Sequence, residues 1–100
     1  MNRYITVHTL KRDVNEFAEF FNGVAMDFAK ATSSGAQPAR CLTTWNGAAY
    51  DEAGQERVFC LWEAEKPEDI ETSLGEVLNY VTLEPHQVDE IVWAELAQAG

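Results

Sequence analysis

The side chains in this sequence that are best suited to chemistry are few, and His8 is the first of them. The chain has two histidines, and imidazole is both a common metal ligand and the usual acid–base group near neutral pH. His8 and Glu63 lie in separate strand-like segments. If those strands are neighbours and present both side chains on one face, the pair predicts a divalent-metal site. The alternative is a half-buried structural histidine, hydrogen-bonded to a carboxylate or to the backbone.

Aromatic residues in and beside the same segments predict the walls of a cavity, although aromatic side chains in strands are also ordinary core residues. The predicted ligand pocket lies between two packed sheets and contains His8, Trp45, Tyr50, Phe59, Trp62 and Glu63.

The remaining reactive side chains give little indication of a catalytic or metal-binding site. Cys41 and Cys60 do not form a Cys-x-x-Cys pair and lie in apolar runs, which is typical of inert buried thiols. His86 lies in an acidic segment, residues 84–90, which predicts a solvated loop or a weak cation site. The sequence has no phosphate-binding glycine loop, nucleophile elbow or dinucleotide fingerprint. No catalytic residue is therefore assigned, and enzymatic activity stays open.

Charge is distributed unevenly along the chain, whose formal net charge is −10. The first fifty residues carry five basic and four acidic side chains, whereas the last fifty carry two basic and thirteen acidic ones. The acidic half would repel phosphate groups, which argues against nucleic acid and against anionic membranes as partners. No segment resembles a signal peptide or approaches the roughly 18 apolar residues of a membrane span. We therefore expect a cytoplasmic protein.

The pattern of apolar residues predicts the elements that position these side chains. Strands are expected over residues 4–10, 40–50, 56–64 and 88–96, and helices over residues 13–30 and 67–81. A turn around residues 51–54 joins the second and third strands, with Asn46-Gly47 as a bulge near the strand end. Pro85 is expected to mark a turn. The order predicts one ferredoxin-like α+β domain over residues 1–100, βαββαβ, with both helices on one face of a four-stranded antiparallel sheet.

The two faces of this sheet are expected to differ in what covers them. Ile5 and Val7 are predicted to face the helices, and the even-numbered residues 4–10, His8 included, to lie on the open face. Strand three, residues 58–62, is apolar at successive positions and hence on both faces. An uncovered apolar patch usually marks an interface, which predicts a homodimer with face-to-face sheets in an α/β-barrel-like association.

Residues 58–67, Val-Phe-Cys-Leu-Trp-Glu-Ala-Glu-Lys-Pro, followed by a short helix and Val88-Asp89-Glu90-Ile91, resemble a family of small dimeric ferredoxin-like domains typified by nickel-responsive, nickel-binding proteins. The resemblance implies a dimer and a metal-binding role. The family's histidines on the second helix have no counterpart in residues 70–76. His8 and Glu63 are the ligand positions that remain.

These observations lead to a homodimeric binding or regulatory domain as the first hypothesis. Its ligand is a divalent metal such as nickel, or a small molecule, in a cavity near His8. The alternative is a cofactor-free enzyme of the dimeric α/β-barrel type, similar to monooxygenases or isomerases, with His8 as general base. A third reading is a purely structural interaction module.

Overall fold

A computed structural model describes residues 1–99 of the chain. Its strands are β1 (Asn2–Thr9), β2 (Arg40–Asn46), β3 (Arg57–Ala64) and β4 (Glu84–Val88). Its helices are α1 (Val14–Ser34), α2 (Pro67–Leu74) and α3 (Trp93–Ala99), with two short 3₁₀ turns at Ala48–Tyr50 and Gly75–Asn79. The strands form one sheet in the order β2-β3-β1-β4, and every pair is antiparallel. The α+β class and the four-stranded antiparallel sheet are confirmed, and the architecture is compatible with a ferredoxin-like plan.

Helix α1 begins and ends at residues with recognisable capping chemistry. The Asp13 carboxylate accepts a hydrogen bond from the backbone N–H of Asn15 at 2.9 Å, which satisfies one of the free donors of the first turn. The helix ends at Gly35, whose φ of 77° is left-handed. The sequence predicted an end near Lys30, one turn too early, because the apolar stripe stops before the cap.

The structure reverses the predicted orientation of β1. Thr6 and His8 are 0% and 2% exposed on the helix-covered face, whereas Ile5 and Val7 are half-buried on the open face. The prediction was wrong because β1 carries apolar or β-branched residues on both faces, so alternation does not distinguish them. Polar side chains can occupy the covered face here because their polar atoms are hydrogen-bonded.

The C-terminal part of the chain also differs from the prediction. Residues 88–96 do not form a strand: β4 ends at Val88, and Trp93 begins a helix rich in Ala, Leu, Glu and Gln, which favour helical structure. Pro85 lies within β4 and not in a turn. It is accommodated because β4 is an edge strand that pairs only with β1, so no ladder partner needs its missing N–H.

The β2–β3 connection and the second helix both differ from the prediction. Strand β2 ends at Asn46, whose side-chain oxygen accepts from the backbone N–H of Ala48 and starts a 3₁₀ turn. The β2–β3 register shift lies between Cys41 and Thr43, not at residues 46–47. The second helix is α-helical only as far as Leu74, and a 3₁₀ turn continues it.

Candidate ligand-binding cleft

A cleft separates α1 from α2 and the following 3₁₀ turn, and the sheet forms its floor. Its inner part has a volume of about 50 Å³. The walls are apolar and come from both helical segments: Phe17, Phe21, Val24 and Phe28 on one side, Leu74 and Val77 on the other. Phe21 lines this space and is nevertheless 41% exposed. The helices therefore do not close over the sheet.

His8 lies on the floor of the cleft and is fully engaged in hydrogen bonds. Its Nδ1–H donates to the carbonyl oxygen of Thr82 at 2.8 Å, because a carbonyl can only accept. Its Nε2 lies 2.8 Å from Thr6 Oγ1. The same hydroxyl oxygen accepts a hydrogen bond from the indole Nε1–H of Trp62 at 3.0 Å. When the imidazole is neutral, the Thr6 hydroxyl therefore donates its own hydrogen bond to Nε2. The result is a continuous chain from Trp62 through Thr6 and His8 to Thr82.

The hydrogen-bonded chain leaves His8 poorly suited to bind a metal. Ligation at Nε2 would break the bond to Thr6, and ligation at Nδ1 would break the bond to Thr82. Glu63 cannot help, because its neighbour Trp62 faces the cleft and Glu63 therefore projects from the opposite face of the sheet. There Glu63 lies 3.8 Å from the guanidinium of Arg3. The predicted pairing of His8 with Glu63 is wrong.

Within residues 1–99, no group of three or more His, Cys, Asp and Glu side chains is arranged to hold a metal ion. His86, the other histidine, lies 3.0 Å from Glu84 on the exposed strand β4. The donor set required for a nickel-like ion is therefore not assembled, and these residues do not fit such a group.

Two thiols line the inner cleft beside His8, and a hydroxyl lies between them. Thr44 Oγ1 is 3.3 Å from Cys60 Sγ and 3.7 Å from Cys41 Sγ. The hydrogen bond from the Cys41 thiol lowers the pKa of Cys60, although burial opposes the shift. The pKa of Cys41 is raised by its hydrogen bond to Cys60 and by burial. The pair therefore loses its first proton more readily than an isolated thiol does.

A wider outer groove of about 390 Å³ continues the cleft toward solvent. It shares four apolar residues with the inner part, and polar residues such as Asp27 and Glu76 form its rim; the shared residues are Val24, Phe28, Leu74 and Val77. Gln37 donates through Nε2 to the Ser73 carbonyl at 3.2 Å. Its Oε1 is buried, and no hydrogen-bond partner is found for it in residues 1–99. A buried acceptor of this kind suits a donor on a bound molecule.

The structure divides the predicted pocket residues between two faces. His8 and Trp62 lie in the cleft on the helix-covered face. Trp45 pairs with Phe59 across β2 and β3 and lies with it on the open face, which Glu63 shares. Tyr50 is 91% exposed in the 3₁₀ turn after β2. The six residues therefore do not surround one cavity.

The predicted pocket left out Cys41, Thr44 and Cys60, the thiol and hydroxyl side chains that line the inner cleft. Residues three apart in a regular strand project from opposite faces. The register shift between Cys41 and Thr43 turns the side chains of Cys41 and Thr44 toward the cleft. Nothing in the local sequence marks this bulge, so the neighbouring thiols could not be inferred.

No protein-family model matches the chain, and no curated protein matches it significantly. None of the helices within residues 1–99 is both long enough and apolar enough to cross a bilayer.

Proposed function

We propose that this chain is a homodimeric small-molecule binding domain whose ligand occupies the cleft between α1 and α2. The observation that supports the proposal is the open, apolar cleft itself. Burial of a large apolar side chain stabilises a folded protein or a complex by about 1.5–3 kcal/mol. Phe21, which lines the cleft, is left 41% exposed. A bound molecule that covers the cleft would recover part of this stabilisation.

The two parts of the cleft indicate the chemistry of the ligand. The inner part is lined by aromatic and aliphatic side chains and accommodates an apolar group. The outer groove offers the unsatisfied Oε1 of Gln37, with Asp27 and Glu76 on its rim. We expect a small molecule with an apolar body and a hydrogen-bond donor, neutral or cationic rather than anionic.

The homodimer is supported by the open face of the sheet. Ile5, Val7 and Phe59 are only half-buried on this face, and they lie around the buried Leu61 in register across β1 and β3. Trp45 extends the apolar strip and is 50% exposed. A second copy that presents the same strip would bury both faces around a two-fold axis.

Binding of a neutral fluorescent probe, N-phenylnaphthylamine, tests the cleft. The wild-type protein is expected to bind it saturably, and Val24→Trp, which fills the cleft, is expected to abolish binding. The matched control is Met26→Trp on the same helix, where the native side chain is 69% exposed and binding should be unchanged. Equal binding by the two variants would contradict the proposed site.

The enzyme hypothesis, with His8 as general base, has weaker support. A general base needs a free lone pair directed at the substrate, and the Nε2 of His8 already faces Thr6 at 2.8 Å. For this reason the binding role is preferred.

A further inference from the structure

Cys41 and Cys60 are the two nucleophilic side chains of the inner cleft, and the fold brings them together in an unusual way. Strands β2 and β3 pair Cys41 with Trp62 and Thr44 with Cys60. Both Cys41 and Thr44 face the cleft because the strand is bulged between them. Bulges of this type redirect side chains and are enriched near functional sites. Without the bulge, Cys41 and Thr44 would point to opposite faces.

The surroundings of the two sulfurs differ, and the difference assigns each a role. Cys60 is 7% exposed on the central strand β3, where the Thr44 hydroxyl lies 3.3 Å from its sulfur; the same hydroxyl lies 3.7 Å from the sulfur of Cys41. Hydrogen bonds to a sulfur stabilise its thiolate, which is the nucleophilic form. Cys41 lies on the edge strand β2 and is less buried. Cys60 is therefore the attacking sulfur and Cys41 the resolving one.

We propose that Cys41 and Cys60 are a redox pair that reduces a small hydroperoxide and closes to an intramolecular disulfide. The Cys60 thiolate attacks the terminal peroxide oxygen: the S–O bond forms, the O–O bond breaks, and the alkoxide or hydroxide leaves with a proton as alcohol or water. Cys41, after losing its proton, attacks the sulfenic sulfur of Cys60. The S–S bond forms, the S–O bond breaks, and the second oxygen leaves as water. In total, two thiols and one hydroperoxide give a disulfide, an alcohol or water, and one further water.

The cleft gives a hydroperoxide a route to Cys60. Both sulfurs line the inner part, which opens toward solvent past Phe21 and Val24. The reaction does not depend on the apolar ligand proposed above. Loss of probe binding and loss of thiol oxidation are therefore separate outcomes.

The test is treatment of the reduced protein with hydrogen peroxide, followed by intact-mass analysis and dimedone labelling. The wild-type monomer is expected to lose the mass of two hydrogens. Cys41→Ser is expected to stop at the sulfenic acid and to form a dimedone adduct on Cys60, and Cys60→Ser to form neither product. Two free thiols in peroxide-treated wild-type protein would overturn the proposal. So would a disulfide that links two chains, or equal dimedone labelling of the two serine variants.

A second pair of variants keeps the proposal testable if a cysteine variant does not fold. Thr44→Val removes a hydrogen bond to the Cys60 sulfur, and the rate of oxidation should fall about tenfold, the equivalent of one charge-assisted hydrogen bond. Thr43→Val, on the neighbouring residue that pairs with Leu61 of the open face, should leave the rate unchanged. Equal rates in the two valine variants would contradict the assignment of Cys60 as the attacking sulfur.

Discussion

The indole nitrogen of Trp62 and the hydroxyl oxygen of Thr6 lie 3.0 Å apart, joined by a hydrogen bond that crosses from β3 to β1 beneath the cleft. Both side chains are 0% exposed. An indole N–H can only donate, so the Thr6 hydroxyl must accept it and can direct its own proton only to a further acceptor, the Nε2 of His8. One buried threonine thus satisfies the polar atoms of two larger side chains.

Replacement of Thr6 by valine should destabilise the fold although valine has nearly the same shape. The variant leaves the Trp62 N–H and His8 Nε2 buried without partners, and each such group costs about 1–3 kcal/mol. We expect the free energy of unfolding, measured by denaturant titration, to fall by roughly 2–4 kcal/mol. Thr43→Val, at an exposed position on β2, is the control and should change it little. Equal effects of the two substitutions would show that the hydrogen-bonded chain does not stabilise the fold.

Replacement of Phe59 by alanine should weaken the proposed dimer. Phe59 is half-buried on the open face beside Val7 and Trp45, and truncation of a central aromatic commonly costs more than 1 kcal/mol of association energy. Sedimentation equilibrium should show a dissociation constant raised about tenfold or more. Phe21→Ala, in the cleft on the opposite face, should leave it unchanged. A wild-type protein that sediments as a monomer would refute the dimer itself.

Trp62→Ala should act differently, because Trp62 packs edge-on against Phe28 of α1, with ring centroids 6.3 Å apart. It belongs to the covered face and not to the proposed dimer face. We expect a loss of roughly 3–5 kcal/mol in the free energy of unfolding, the usual cost of truncating a buried aromatic. Circular dichroism melts at several protein concentrations would separate this effect from dissociation.

The sequence predicted correctly those elements that carry strong local signals. The prediction failed where contacts between distant parts of the chain determine the structure. Asp13 and Pro67 mark helix starts through chemistry that acts within one turn, and both helices begin where expected. The faces of β1 depend on which side chains find hydrogen-bond partners inside, and the partners of Thr6 and His8 come from Trp62 and Thr82, far along the chain. No local pattern encodes such a pairing.

The site was predicted only in part for the same reason. His8 was predicted to lie on the open face but is buried on the covered one, and its bond to the Thr82 carbonyl matches the structural alternative, a histidine hydrogen-bonded to the backbone, rather than the metal ligand. The proximity of the two thiols was not predicted, because a bulge places Cys41 beside Cys60. A one-residue irregularity changes the face of a side chain, and sequence spacing alone does not reveal it.

Stability at acid pH should depend on the ion pair between Asp51 and Arg57, which closes the β2–β3 connection at 2.9 Å. The hydrogen bonds from Arg57 lower the pKa of Asp51. The folded pKa therefore lies below the unfolded value of about 3.9. The contribution is fully present above the unfolded value and is lost as pH falls through the folded pKa.

The Asp51→Asn variant should accordingly be less stable than wild type near pH 7, and the difference should shrink as the pH is lowered below about 4. Urea titrations across this range would measure it. High salt should also reduce the difference, because Arg57 is half-exposed. Glu52→Gln, an exposed neighbour in the same connection, is the matched control. A difference that is constant with pH would indicate that the aspartate acts through shape and not charge.

Replacement by alanine should change the free energy of unfolding in opposite directions at a glycine inside α1 and at the glycine that caps it. Gly23 lies in the helix interior, and no atom lies within 4 Å of the position that a Cβ would occupy. Alanine there should raise the free energy of unfolding by about 0.5–1 kcal/mol through better helix propensity. Gly35, at the helix C-terminus, has a φ of 77°, and alanine in this left-handed region should cost about 1–2 kcal/mol. Chemical denaturation of the two variants beside wild type would measure both shifts, and a stabilising effect at Gly35 would mean that α1 does not end in a left-handed residue.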